Sequence, residues 1–359
     1  RSAFHDRLTP ALASLLRTLA MDGVAALGAA PRAMPARLAG FRDLLAIDAT
    51  VLRLHDWLSK NYAACRTNHT KAAAKLHMVM SVLDGSPNRM RLTAERVNDK
   101  TPWRRVEKWV SGCLLLFDLG YYSFHLFDRI DAHEGFFLSR VKSNANPVIV
   151  SENRRWRGRA VPVVGQRLQD VLPRLRRQYL DVNVEVEFQR RVYRGVRSRK
   201  RRTFRLVAVR NDETKSYHFY LNNIPSEELP ASDISETYAL RWQVEILFKA
   251  MKSHGHLDQL PSRKKAIVEC LVWASILATL ASQVLQRLVR QAVQRDRHIP
   301  LLRWAALFER FARDVLVAVV TKSDLEREDW FRIMVQEAPD PNRNRKDAAM
   351  ARIGALEAA

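Results

Sequence analysis

Two aspartates stand where carboxylates are disfavoured. Asp48 lies inside the apolar run 44–52, Leu-Leu-Ala-Ile-Asp-Ala-Thr-Val-Leu, and Asp118 closes the run Leu114-Leu115-Leu116-Phe117. An ionised carboxylate buried in such a strand costs several kcal/mol unless it is paired or bound to a cation. Each has a structural explanation by itself, because a strand-end Asp often caps a turn and Asp118-Leu119-Gly120 has turn chemistry. At the ends of neighbouring strands of one sheet, the two together have the donor chemistry of a divalent-metal site.

A third carboxylate belongs to a different pattern. Tyr238, Arg241, Glu245, Lys249 and Lys252 recur at helical spacing, and at about 100° per residue they form a stripe roughly 80° wide. The remaining faces carry Ala239, Leu240, Val244, Ile246, Leu247, Phe248 and Met251. A solvated face on a core-packed helix is the plain alternative, but such faces are usually wider and include Ser, Gln or Asp. One carboxylate flanked by cations suits a metal ligand beside a phosphate track.

These residues need elements to hold them. Spaced leucines over 7–27 predict a helix, which the Pro- and Ala-rich segment 29–35 ends. The run around Asp48 reads as a buried strand. Residues 74–83 and 89–97 read as a hairpin around Asp84-Gly85-Ser86-Pro87-Asn88. A short helix is expected over 101–111, a strand over 113–118, a helix over 123–132 and a strand over 135–142. This order is that of an α/β fold with central strands buried on both faces. Between about 144 and 230 the texture changes, and residues 182–193, 203–210 and 216–222 read as antiparallel strands. Helical periodicity resumes at Asp233 and runs to about Glu337, followed by a polar linker from Ala338 to Arg345.

Composition narrows the partners. The 359 residues hold 60 Lys and Arg against 38 Asp and Glu, a net charge of +22, so a polyanion is expected. Residues 151–202 contain sixteen Lys and Arg against five Asp and Glu, half of that excess, and this Arg-rich stretch is expected to contact phosphate. Cys65, Cys113 and Cys270 are too few and too scattered for a disulfide framework or a zinc site, so a cytoplasmic location is expected. The stretch 270–286 has no charged residue, yet Gln283 and Gln286 and its Ala, Ser and Thr content fit a helix buried in a soluble core rather than a membrane span.

The spacing Tyr238-x2-Arg241-x3-Glu245-x6-Lys252 resembles the Y-x2-R-x3-E-x6-K signature of insertion-sequence-4 family DDE transposases. Asp48-Ala49-Thr50 resembles the family's first D-x-T motif, and Asp118-Leu119-Gly120-Tyr121 resembles its second, D-x-G-Y. The segment from Phe136 to Ala145 is similar to the strand that follows. The resemblance covers about Leu44 to Leu285. It implies an RNase H-like catalytic core, a mixed five-stranded sheet with flanking helices, interrupted by a β-rich insertion. The expected organisation is a helical N-terminal segment over 1–42, core over 43–144, the Arg-rich insertion over 145–230, core with the catalytic-Glu helix over 231–290, and a helical C-terminal region over 291–359. The N-terminal DNA-end-binding region is expected to be short or missing.

The resemblance further implies cut-and-paste DNA transposition in a bacterial or archaeal cytoplasm. Asp48, Asp118 and Glu245 would converge to hold two Mg²⁺ ions, with Mn²⁺ able to substitute. Tyr238, Arg241 and Lys252 would grip DNA phosphates, and Lys249 joins them from the stripe. Trp156, between Arg155 and Arg157, is a candidate for stacking an unpaired base or for packing, and Tyr193, Tyr217 and Tyr220 are further candidates. The implied partners are the transposon ends and target as double-stranded DNA, with a homodimer in the complex. Rival readings are an RNase H-like nuclease without strand transfer and a decayed, non-catalytic DNA-binding protein.

Overall fold

The alternation of apolar runs and helical periods is realised as a mixed α/β chain in the computed structural model, which describes residues 2–29, 32, 34–65, 70–142, 144–153, 162–189, 198–293 and 298–341. In chain order the elements are α1 (Ser2–Arg7), α2 (Pro10–Ala29), β1 (Asp43–Leu54), β2 (Ala72–Ser81), β3 (Pro87–Ala94), β4 (Cys113–Phe117), α3 (Phe124–Ala132), β5 (Phe136–Arg140) and β6 (Val148–Glu152). There follow α4 (Leu168–Val171), β7 (Tyr179–Gln189), β8 (Arg199–Arg210), β9 (Tyr217–Asn222), α5 (Ile234–Ala239), α6 (Gln243–Ser253), α7 (Lys265–Ala292), α8 (Leu301–Thr321) and α9 (Asp329–Glu337). They form two compact units. The helix-rich unit takes the described residues within Arg1–Pro31, Asp48–Asn98 and Trp242–Ala351, and the sheet unit those within Arg32–Ile47 and Asp99–Arg241. Strand β1 runs through both.

In the sheet unit the strand order is β1-β4-β5-β9-β8-β7-β6. β1 pairs with β4 and β4 with β5, both in parallel. Their cores, Leu44–Ile47, Cys113–Phe117 and Phe137–Leu138, are buried throughout, as expected for parallel strands covered on both faces. The sheet continues beyond β5, because β9 lies antiparallel along it, with Ser139 opposite Leu221 and Arg140 opposite Tyr220. An unpaired β5 would expose a row of N–H and C=O groups, and β9 satisfies them. Strands 7, 8 and 9 then form an antiparallel meander.

Period-2 alternation along β8 sorts its cations. Arg199 and Arg201 reach Glu187 across the register. Lys200 and Arg202, on the opposite face, pair with Asp128 of α3. Burial pushes the Asp128 carboxyl up, but these two cations outweigh it and hold the group below the usual carboxylate range. Part of the Arg-rich stretch therefore serves internal ion pairs. Arg155, Trp156, Arg157 and Tyr193 lie outside the described residues.

In the helix-rich unit the order is β3-β2-β1. The Asp84–Ser86 turn joins β2 to β3, with Ser86 N–H donating to Asp84 Oδ1 (2.9 Å) and Gly85 at φ 74°. α7 holds this turn: Arg287 reaches Asp84 and Ser86 Oγ, both at 2.7 Å, and Gln283 donates to the Gly85 carbonyl. Among the described residues two helices, α2 and α7, are long and apolar enough to cross a membrane by length and composition. Half of the α7 window is buried, and Ser282, Gln283 and Gln286 are buried within it, which fits a core helix. Trp304 of α8 donates its indole N–H to Ser282 Oγ at 2.9 Å. Around it Leu285, Val289, Trp330, Phe331 and Met334 form an apolar cluster.

Three local expectations change. Residues 101–111 form two 3₁₀ turns, Thr101–Trp103 and Lys108–Val110, rather than one helix. Trp103, Val106 and Val110 are buried as their spacing requires, and tight turns meet that spacing without continuous helix. The Tyr238–Lys252 stripe is likewise not one helix, because a 3₁₀ turn over Leu240–Trp242 separates α5 from α6. The supposed linker begins with Ala338, which is fully buried against the α7–α9 cluster.

A deeply buried ion pair ties β7 to β8. Arg205 and Asp181 are 4% and 7% exposed. The guanidinium grips the carboxylate with both Nε (2.8 Å) and an Nη (2.6 Å), while its other Nη donates to the carbonyls of Ile224 and Leu229. Arg205→Met leaves Asp181 buried without its cation and should destabilise the fold by about 3–5 kcal/mol. Urea denaturation measures this. Arg205→Lys, which keeps charge but not the fork, should recover only part, and a loss no larger than that of an exposed substitution would refute the structural role.

Candidate active site

Three parallel strands of the sheet unit are matched in register. Ile47 of β1 is opposite Phe117 of β4, and Phe117 is opposite Ser139 of β5. The next residues along the three chains are Asp48, Asp118 and Arg140. Side chains just past the paired segments of parallel strands lie where α/β sheets commonly bind ligands. Asp48 is half-buried and accepts the Ala49 N–H at 2.8 Å, while Thr50 is buried. Asp118, half-buried and extended at φ −77°, opens the 3₁₀ turn Leu119–Tyr121.

Around Asp118 the sheet unit gathers aromatic and cationic groups. Tyr238, at the end of α5, is 9% exposed. Its ring centroid is 5.3 Å from that of Tyr220, and the Arg241 guanidinium lies 5.9 Å over it. Burial pushes the Tyr238 phenol up to about 12; the Asp118 charge adds to this, while Arg241 and Arg140 oppose it. Asp118, Tyr238, Arg241 and Arg140 thus share one electrostatic neighbourhood. Beside it, Lys100 donates to the Tyr122 carbonyl (2.6 Å) and Lys142 lies 5.6 Å over the Tyr122 ring. Burial lowers the Lys100 pKa, the Lys142 charge lowers it further, and Asp99 opposes both.

The helix-rich unit carries the other candidates. Glu245 is half-buried in the first turn of α6, where the helix dipole favours a carboxylate. Val244, Leu247, Phe248 and Met251 anchor the opposite faces. Lys249 is exposed and Lys252 half-buried. Burial lowers the Lys252 pKa, and Arg53 of β1 adds to this against the pull of Asp258. Tyr238 and Arg241 belong to one unit, and Glu245, Lys249 and Lys252 to the other.

A donor set of carboxylate oxygens suits a hard divalent cation. Among the described residues, no three His, Cys, Asp or Glu side chains gather closely enough to hold a metal ion. Sequence reasoning did not single out Arg140, Lys142 or Lys100. The signal was present for the first two in Ser139-Arg140-Val141-Lys142 after a strand, whereas Lys100 lies in a segment with no distinctive pattern.

The family described as "Transposase DDE domain" matches residues 39–281. The chain belongs to that family. It is 21% identical over 295 residues to the transposase for insertion sequence element IS231F of Bacillus thuringiensis subsp. israelensis, covering 75% of this chain and 62% of that protein. The IS231B transposase of B. thuringiensis subsp. berliner is 22% identical over 289 residues, covering 72% and 60%. The IS421 transposase of Escherichia coli is 33% identical over 81 residues, covering 23% and 22%. The chain thus spans about three fifths of the length of the IS231 relatives.

The Tyr238 neighbourhood is testable by titration. An ordinary tyrosine is half-ionised at about pH 10, whereas Tyr238 should remain protonated there and ionise near pH 12. The difference in tyrosinate absorbance between the parent and Tyr238→Phe isolates this group. Asp118→Asn should lower its pKa and Arg241→Gln should raise it. No response to either would mean that the three side chains do not share a site.

Proposed function

We propose that the chain carries the catalytic region of a cut-and-paste DNA transposase of the insertion-sequence-4 kind, built on an RNase H-like core with the 145–230 strands as its insertion. The observation that supports this reading is the match of residues 39–281 to the DDE family, in a chain whose paired Ile47 and Phe117 are each followed in sequence by an aspartate. Asp48, Asp118 and Glu245 would hold two Mg²⁺ ions, or Mn²⁺ in their stead. When bound, the ions supply Lewis acidity and charge neutralisation at the attacked phosphate.

The remaining work falls to the chain's own residues. Tyr238, Arg241, Lys249 and Lys252 hold the phosphates flanking the scissile bond, and Arg140 adds a cation at the strand edge. Such contacts align the strand without reading its sequence. An oxygen nucleophile, water for cleavage or a DNA 3′-hydroxyl for transfer, then forms a new P–O bond in line with the one that breaks. The nucleophile loses its proton, the leaving oxygen gains one, and no covalent enzyme intermediate is needed. The substrates are transposon ends and target as double-stranded DNA, and two copies of the chain would pair the two ends.

Glu245→Gln separates chemistry from binding. It removes a carboxylate while leaving Arg241, Lys249 and Lys252, so DNA binding in a gel shift should be unchanged or slightly tighter. Mg²⁺-dependent nicking should fall by orders of magnitude. Arg241→Ala and Lys252→Ala should instead weaken binding and reduce its salt slope by about one contact each. Parent-like nicking by Glu245→Gln would remove Glu245 from the ligand set, and nicking without strand-transfer products would favour a simple nuclease.

A further inference from the structure

Beyond the catalytic candidates, the helix-rich unit exposes one aromatic ring in an unusual setting. β1 ends at Leu54, and the next residues, His55-Asp56-Trp57-Leu58, form a 3₁₀ turn with His55 at its N-cap. Leu58 is buried and anchors the turn, while Trp57 points outward and is 70% exposed. Leaving so large an apolar ring in water is unfavourable, so its position calls for a reason other than packing.

The ring is held in place nonetheless. The Arg263 guanidinium lies 4.7 Å over the Trp57 ring. Arg263 Nε also approaches His55 Nε2 at 3.2 Å, and the Trp57 backbone N–H approaches His55 Nδ1 at 3.3 Å. A neutral imidazole has one lone pair to offer, so one of these two is the full hydrogen bond at any time. The His55 ring packs edge-on to Trp57 at 6.1 Å. The indole therefore carries a cation over its ring and an imidazole beside it, with most of its surface open.

Exposed cations lie on the same segments. Lys60 stands three residues beyond Trp57 and Lys264 follows Arg263, and exposed Lys71 donates its backbone N–H to Oδ1 of the exposed Asp56 at 2.8 Å. An exposed aromatic backed by Arg, with cations on the neighbouring residues, matches the two needs of an unpaired nucleotide: a face for the base and positive charge for the phosphates. A protein partner would use the same ring, but the excess of exposed lysines favours a polyanion.

We infer that Trp57, backed by Arg263 and His55, is a stacking platform for an unpaired DNA base. The inference rests on the DNA-transacting reading above and adds to it a binding site outside the carboxylates and the Tyr238–Lys252 segment. Fluorescence anisotropy on the full chain tests it, using labelled oligothymidylate, an abasic phosphodiester oligomer of the same length, and a duplex. The parent should bind oligothymidylate more tightly than the abasic oligomer. Trp57→Ala should weaken oligothymidylate binding roughly tenfold, within the range for one stacked base, and leave abasic binding unchanged. Trp57→Phe should recover most of the loss, and Arg263→Gln should weaken binding to both oligomers. Equal losses on both oligomers for Trp57→Ala, or a parent blind to the presence of bases, would overturn the platform. If the parent binds duplex and Trp57→Ala matches it on every probe, the platform alone fails. A parent that binds no DNA overturns the platform and the DNA reading together.

Discussion

Parallel pairing of β1, β4 and β5 is the constraint on which the sheet unit depends. A parallel strand covered on both faces accepts almost nothing but apolar side chains along its length. Charged groups are therefore concentrated toward the ends of the paired segments. Ile47, Phe117 and Ser139 are matched in register, and each is followed in sequence by a charged residue, Asp48, Asp118 and Arg140. A one-residue slip of β4 would turn Asp118 to the other face.

The cations of the chain divide by how far they are desolvated. Arg205 is wholly internal and holds Asp181 and the carbonyls of Ile224, Pro225 and Leu229. Lys200 and Arg202 fasten α3 to β8 through Asp128, and Arg199 and Arg201 bridge strands to Glu187. Arg140, Arg241, Lys100 and Lys142 form a second group, set among aromatic rings, carboxylates and one another. A high net charge does not by itself say which cations face a polyanion. Partner carboxylates inside the fold remove several of the most Arg-rich positions from that role.

Much of this was legible in the residues. The apolar runs around Asp48 and Asp118, the turn Asp84–Asn88, the alternation of β7 to β9 and the helical period after Asp233 all reflect local rules with a short reach. The D-x-T, D-x-G-Y and Y-x2-R-x3-E-x6-K spacings pointed to the family because chemistry fixes residue types more tightly than packing does. The segment 101–111 misled because buried positions three and four apart fit two 3₁₀ turns as well as one helix. The 3₁₀ turn at Leu240–Trp242 was invisible, since no Gly or Pro marks it.

By itself the sequence determined the elements, the candidate carboxylates and the family, because periodicity and motif spacing are properties of contiguous residues. Tertiary structure alone decided that β9 would close the edge of β5, that Asp128 would take Lys200 and Arg202, and that Arg140 would stand next to Asp118. It also decided that Arg263, more than two hundred residues from Trp57, would lie over that indole. Each of these joins residues far apart in the chain, and such pairings depend on strand register and helix docking that no local pattern encodes.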